Sequence, residues 1–243
     1  MSVSQLRAVQ YAGGLVAGAW QGSELVGFCY GFPSFRPQLD PAPGLHSHMT
    51  AVVATARNVG IGRGLKWYQR RWCLERGISW VEWTFDPLRA ANARLNLEHL
   101  GATVAEYLVD AYGPMADALN AGLHSDRLMA RWQITHPGLD GLESRRASRP
   151  PPSVAATALT EGEAGGPAEP QLHLTDRAVT VRVPHDLGTL LAGTPTLATA
   201  WRLAVRGALV NYLGKGYRIT RFVAGSYLLQ AQRLPSETAS HEQ

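Results

Sequence analysis

The chain has 243 residues, 45% of them hydrophobic and 17% charged, with a formal net charge of +4 and a pI near 9.3. This composition excludes a disordered polymer and leaves enough length for a buried core. The small positive excess, with no dense Lys/Arg stripe, suits an anionic ligand and argues against nucleic acid. The two cysteines, Cys29 and Cys73, make neither a disulfide framework nor a zinc set, so no metal is expected. No apolar run of about 18 residues and no signal-peptide pattern is present, so the expectation is a cytoplasmic protein without a membrane span.

In chain order, residues 14–21 read as an apolar strand, Gln21-Gly22-Ser23-Glu24 as a turn, and Leu25 to Phe32 as the second arm of a hairpin. Four prolines make residues 33–45 a loop, and Leu45 to Val53 is again strand-like. From Gly60 to Arg76, apolar residues at 61, 65, 68 and 72 predict a helix with one buried face, stopped at Gly77. Ile78 to Phe85 alternates as a strand does. Asp86-Pro87 predicts an N-cap and a first helical proline, with Leu88, Ala91 and Leu95 on the apolar face and Gly101 at the end. Thr103 to Val109 and Arg127 to Thr135 are two further strands.

Residues 137–170 are rich in Pro, Gly, Ala, Ser and Glu and predict a flexible linker. Beyond it, Ala178 to Val183 and Tyr217 to Leu229 read as strands, with a helix from Thr194-Pro195 between them. The expected organisation is therefore a core over residues 1–136, a linker over 137–170, and a β-α-β extension over 171–243 docked on the core. The fold class is α/β (α+β), with a mixed, mostly antiparallel sheet flanked by helices.

Chemistry concentrates between the third strand and the first long helix, in Arg57-Asn58-Val59-Gly60-Ile61-Gly62-Arg63-Gly64. Glycines let the backbone approach a ligand, and a helix N-terminus offers unpaired N–H groups to a pyrophosphate. The P-loop pattern fails because Leu65-Lys66-Trp67 follows Gly64, and the dinucleotide fingerprint fails because Leu65 stands where its third Gly belongs.

Arg57-x-x-Gly60-x-Gly62, in this order of elements, resembles the pyrophosphate loop of the GNAT superfamily of N-acetyltransferases. The resemblance covers roughly residues 14–135. His46-Ser47-His48-Met49, Thr84-Phe85-Asp86-Pro87-Leu88, Tyr112-Gly113, Ser125-Asp126-Arg127-Leu128, Trp201-Arg202 and Gly216-Tyr217 are similar to a subgroup of predicted acetyltransferases with a C-terminal extension. The resemblance implies acetyl-CoA as co-substrate. Val52 or Val53 would polarise the thioester carbonyl through an N–H, and Arg57, Asn58, Val59, Gly60, Ile61, Gly62 and Arg63 would hold the pyrophosphate, with Asn92 on the cofactor. It implies direct attack by the amine of a small molecule or peptide. The expected partners include no nucleic acid and no membrane, and a homodimer is allowed. Three departures stand out. Leu97 occupies the position of the family's acid, a Tyr. The family's first strand and its two helices find no counterpart, so the expectation is either a truncated start or a substituting segment, for which the C-terminal tail is the candidate. Leu100-Gly101-Ala102 replaces the common Gly-Phe ending.

For the base, His48, Glu82 and Asp86 are the candidates. His46 and His48 share a strand face, where they form either an acid/base or metal cluster with Glu82 or Asp86, or a solvated face. Asp86 is also read as an N-cap. Glu82 is either a surface carboxylate or, if buried among tryptophans, one with a raised pKa. Asn92, Asn96 and His99 form a polar helix stripe. Trp67, Trp72, Trp80 and Trp83 read as core or as an aromatic wall for an acyl group, and Asp126-Arg127 as a local ion pair or a turn. Two functions compete: an N-acetyltransferase, and a GNAT-like module that binds acyl-CoA or a partner without turnover.

Overall fold

The computed structural model describes residues 2–38, 40, 42–113, 122–139, 141–143 and 155–232. Two units divide them. One takes in Met1–Asp86, Ala91–Val104 and Arg127–Arg149, and the other Pro87–Ala90, Ala105–Asp126 and Pro150–Gln243. Both are mixed α/β, mostly antiparallel. The division differs from a boundary near residue 136, because Ala105–Asp126 groups with the C-terminal part.

The first unit opens with helix α1 (Val3–Tyr11), which composition gave no reason to expect. Ser2 caps it by a reciprocal box with Gln5, and none of its residues is fully buried. Strands β1 (Leu15–Gln21) and β2 (Glu24–Ser34) then form the expected hairpin. Gly22, at φ +59, opens its two-residue loop as a II′-type turn requires. Strand β3 (Gly44–Val52) pairs antiparallel with β2. Helix α2 (Ile61–Leu74) follows, then β4 (Trp80–Phe85), parallel to β3. Strand β6 (Arg127–Gln133) pairs antiparallel with β4, giving the order β1-β2-β3-β4-β6. Trp67 of α2, Trp83 of β4 and Trp132 of β6 meet edge to face beneath the sheet, which places Val81, Trp83 and Phe85 on the α2 side.

The helix after β4 starts later than expected. Pro87 and Leu88 lie in a turn, and α3 (Ala90–Arg94) begins three residues on. The Pro87 carbonyl, which a helix starting there would spend on residue 91, instead accepts the Tyr227 hydroxyl at 2.8 Å within the second unit. Leu95–His99 continues as a π-helix, with Leu100 N–H bonded to Leu95 O, and Gly101 at φ +70 ends it.

The predicted linker is structured at both ends. In the first unit, Arg63 donates to the carbonyls of Leu142 and Glu143, Arg71 pairs with Glu143 at 2.7 Å, and Arg70 Nε reaches Ile134 O. Leu139 and Leu142 are buried where a Cβ on Gly101 would touch them. In the second unit, β7 (Ala156–Leu159) pairs in parallel with β8 (Ala178–Arg182), and Trp201 Nε1 donates to Gly165 O at 3.0 Å. Composition counts small and polar residues, but these few apolar side chains and backbone partners suffice. Arg145, Arg146, Arg149 and Pro150 to Pro152 lie outside the described residues.

Strand β5 (Thr103–Leu108) leads into the second unit. There Asp186 caps α4 (Leu187–Gly193), and Pro195 sits at the first position of α5 (Pro195–Gly214). The single strand expected over Tyr217 to Leu229 is a hairpin of β9 (Tyr217–Val223) and β10 (Ser226–Ala231). Its loop residues Ala224 and Gly225 both have positive φ, the I′ geometry, with Ala where Asn or Asp would have signalled it. Among the described residues no helix is long and apolar enough to cross a membrane.

Candidate functional site

Strands β3 and β4 are joined by only two rungs, Leu45 to Val81 and His46 to Glu82. Beyond them β3 runs on to Val52 paired with β2 alone, and β4 runs on to Phe85 paired with β6 alone. The two parallel strands therefore fork toward their C-terminal ends. At the fork β3 carries a bulge. Ser47 pairs with Gly31 and Met49 with Tyr30, so His48 is the extra residue. Bulges of this kind re-aim side chains. Here the alternation also slips by one, so Thr50 and Val52 share the α2 side with Leu45 and Ser47, and Val52 packs against the Leu15, Cys29 and Leu65 cluster.

The backbone at the end of β3 distinguishes two expected donors. Val53 N–H donates to Val26 O at 2.9 Å and is turned into the sheet, so it is not a free polarising group. By alternation the Val52 N–H points to the open edge, where Arg57 Nε already holds the Val52 carbonyl at 3.1 Å. The chain then makes one 3₁₀ turn, Ala54–Ala56, and passes Asn58 at φ +64 to Gly60 at φ +94, the N-cap of α2. Gly64 N–H makes the first bond back, to Gly60 O at 2.8 Å, so the N–H groups of Ile61, Gly62 and Arg63 emerge from the helix end. Nothing lies within 4 Å of a Cβ built on Gly60 or Gly64, and Gly62 faces only Val52 Cγ2 at 3.8 Å, which leaves this surface open. Val59 is exposed, and Ile61 is turned into the core. The Arg63 guanidinium differs from expectation. It is engaged by the Leu142 and Glu143 carbonyls, which leaves Arg57 as the cation of the loop. Asn92 is exposed on α3.

The sheet face away from α2 gathers His46, His48 and Glu82. His46 stacks on Phe32 at 5.1 Å, and His48 packs against Tyr30 and Phe32 at 5.2 and 5.5 Å. Glu82 is 2% exposed. It accepts from Ser34 Oγ at 2.7 Å, and His46 Nδ1, Arg131 Nη1 and Arg36 Nη1 stand 3.8, 3.7 and 3.9 Å from its oxygens. Arg131 also lies over the Trp80 ring at 3.5 Å and pairs with Asp40. Burial alone would raise the Glu82 carboxyl, but the polar contacts of His46 and Ser34 and the Arg36 charge hold it below its ordinary value. The raised value expected of a buried Glu82 is thus reversed by its partners. His48 goes the other way for a base: packing of its ring, reinforced by His46, pulls it below the ordinary 6.5, so the imidazole is neutral at pH 7. Among the described residues no group of three His, Cys, Asp or Glu is placed to hold a metal ion.

Asp86 follows β4 and is 9% exposed, with α3 beginning at Ala90, and Leu97 is wholly buried. Asp126, read from the sequence beside Arg127, has strong partners elsewhere in the chain. In the second unit it takes two bonds of 2.8 Å from Arg206 and one of 2.6 Å from the Tyr107 hydroxyl.

Sequence reasoning missed Lys66. It is 5% exposed, donates to Ser47 Oγ at 2.7 Å and stands 3.8 Å above the Trp83 ring. Ser47 and Trp83 are the first residues of β3 and β4 beyond the last shared rung. Among the described residues no carboxylate forms an ion pair with Lys66. Burial pulls its ammonium down to about 7. Burial also raises the neighbouring thiols, Cys73 to about 12, so neither supplies a counter-charge.

No protein-family model matches the chain, and no curated protein does. Solved structures similar to it over about half its length include acetyltransferases. The ribosomal-protein-alanine N-acetyltransferase of Brucella melitensis is 23% identical over 53% of this chain and 74% of its own, with a TM-score of 0.44. A GNAT family acetyltransferase of Elizabethkingia anophelis, solved with acetyl-CoA bound, is 15% identical over 54% and 83%, at 0.43. The ribosomal-protein-S18-alanine N-acetyltransferase of Escherichia coli is 19% identical over 57% and 80%, at 0.44.

Proposed function

We propose that this protein transfers an acyl group, acetyl in the simplest case, from acyl-CoA to an amine by direct attack. The observation that carries the reading is the fork between β3 and β4, bulged at His48 and opening toward the bare N-terminus of α2. A pantetheine arm fits such a fork because the open edge of β3 offers backbone groups that β4 does not use. The N–H groups of Ile61, Gly62 and Arg63, with Asn58, Val59 and Gly60 shaping the loop and Arg57 adding charge, suit the pyrophosphate. The Val52 N–H at the open edge suits an amide of the pantetheine arm, which leaves the thioester at the bulge. The amine nitrogen attacks the carbonyl carbon, the C–S bond breaks, the sulfur keeps the electron pair, and the amine gives up a proton. His48 is neutral and at the fork, so it takes that proton. Glu82, ionised and held by Ser34 and two arginines, anchors the face and is a poor base.

Isothermal titration with acetyl-CoA, followed by thiol release over a panel of small amines and peptides, tests the reading. Expected are saturable binding, turnover, and a loss of about 10²-fold or more in kcat for His48→Gln with binding kept. The absence of any acetyl-CoA binding would remove it. A second reading, a module that binds acyl-CoA without turnover, is favoured by the burial of Leu97 at the position of the family's acid. Binding without thiol release would select it.

A further inference from the structure

We infer that Lys66, acting through the Ser47 hydroxyl, supplies the proton taken by the departing CoA thiolate. The inference rests on the proposed acyl transfer and fills the role left open by Leu97. Three observations lead to it. A buried lysine is normally matched by a carboxylate, and among the described residues Lys66 forms no such pair. Its ammonium lies not at an arbitrary point of the core but under the fork, bound to Ser47 of one arm and over Trp83 of the other. Finally, Ser47 Oγ accepts from Lys66 Nζ, so its own O–H hydrogen is turned elsewhere.

The proton count closes. When the C–S bond breaks, the Ser47 O–H gives its proton to the sulfur and is refilled from the Lys66 ammonium, which is left as a neutral amine. The proton lost by the attacking amine reaches His48 and then solvent, and solvent reprotonates Lys66. The net change is amine plus thioester to amide plus thiol. The groups facing Lys66 are Ser47 from β3, Trp83 from β4, Cys29 from β2, and Cys73 of α2 itself. The two thiols are neutral at working pH. The ammonium is therefore the proton-rich group of this cluster, and its low pKa suits an acid working near neutrality.

Ser47 would touch the sulfur, and Lys66 acts behind it, so the test needs more than lost activity. The full chain, Lys66→Met and Ser47→Ala are compared by titration with acetyl-CoA and by thiol-release kinetics across pH 5.5–9. Expected is unchanged acetyl-CoA affinity in both variants, with kcat down about 10²-fold or more. Wild-type kcat should fall as pH rises through about 7, and both variants should lose that alkaline limb. Lys66→Met with wild-type kcat and an intact limb overturns the inference. If Lys66→Met fails to fold by circular dichroism, Ser47→Ala decides alone, and an intact limb there is equally fatal. A wild-type chain that binds acetyl-CoA but releases no thiol removes the inference with catalysis. One that binds none points instead to failure of the acyl-CoA reading itself.

Discussion

Replacing Lys66 by Met should make the protein more stable, and the gain should depend on pH. The side chains have similar length, but Lys66 carries a charge that burial disfavours, lowering it from 10.5 to about 7. That difference corresponds to about 5 kcal/mol. Between pH 7 and 10.5 the unfolded chain binds the proton and the folded one does not, so stability rises with pH across this window. Below about 7 both states are protonated and the folded state bears the whole penalty. Above 10.5 both are neutral and the penalty is gone. Against this, Met leaves the Ser47 hydroxyl without its 2.7 Å donor, a loss of about 1 kcal/mol. We expect Lys66→Met to gain about 2–4 kcal/mol at pH 6 and nothing at pH 10. Urea denaturation at both pH values, read as a midpoint shift at constant slope, measures it. A variant no more stable than wild type at pH 6, or a gain that ignores pH, would refute the account of Lys66 as a buried cation without a counter-charge.

Further substitutions follow from the same structure. Glu82→Gln should cost about 1–3 kcal/mol at pH 7, because it removes the buried charge facing Arg131 and Arg36 while Arg131 keeps Asp40. Because the folded Glu82 value lies below its ordinary 4.5, the difference should shrink in acid as wild-type Glu82 is itself protonated, a trend that denaturation at pH 7 and pH 3 would detect. Gly60→Ala forces a Cβ onto φ +94 and should cost about 1–2 kcal/mol and weaken acetyl-CoA binding, whereas Gly64→Ala, in the helix with open space around it, should stabilise by about 0.5–1 kcal/mol; thermal melts of the pair separate strain from helix propensity. In the second unit, Asp126→Asn should cost about 3–5 kcal/mol through the Arg206 pair and the Tyr107 hydrogen bond, and a urea midpoint that does not move would refute it.

Much of the first unit was legible because its signals are local. The hairpin at Gly22, the apolar stripe of α2 and the alternation of β4 depend on residues a few positions apart. The glycine loop was legible for the same reason, since three glycines and a helix start are adjacent in the chain. What escaped depends on tertiary partners. Arg63 looks like a phosphate ligand until the Leu142 and Glu143 carbonyls are seen to hold it. Glu82 in a tryptophan-rich strand suggests a raised pKa until Ser34, His46 and two arginines surround it. Residues 155–170 look like linker by composition, yet a four-residue strand needs only Ala158 and Leu159 inward to dock on β8. Two misses did carry a sequence signal. Ser2 and Gln5 spell a capping box ahead of α1. Lys66 is one of two lysines in a chain that otherwise uses arginine, the cation whose proton cannot be moved.

The bulge at His48 also changes what the sheet can tolerate. Deleting one residue from a strand ordinarily turns every later side chain to the wrong side. Here the slip already exists, because His48 and Met49 together oppose Tyr30. Excising residue 48 would leave Ser47, Thr50 and Val52 inward and Met49 and Ala51 outward, in unbroken alternation. The fold has no architectural need for that residue: a chain shortened at this point keeps its hydrophobic phase and loses only an imidazole. The histidine is thus the one position on β3 where the demands of the core and those of the chemistry are separable.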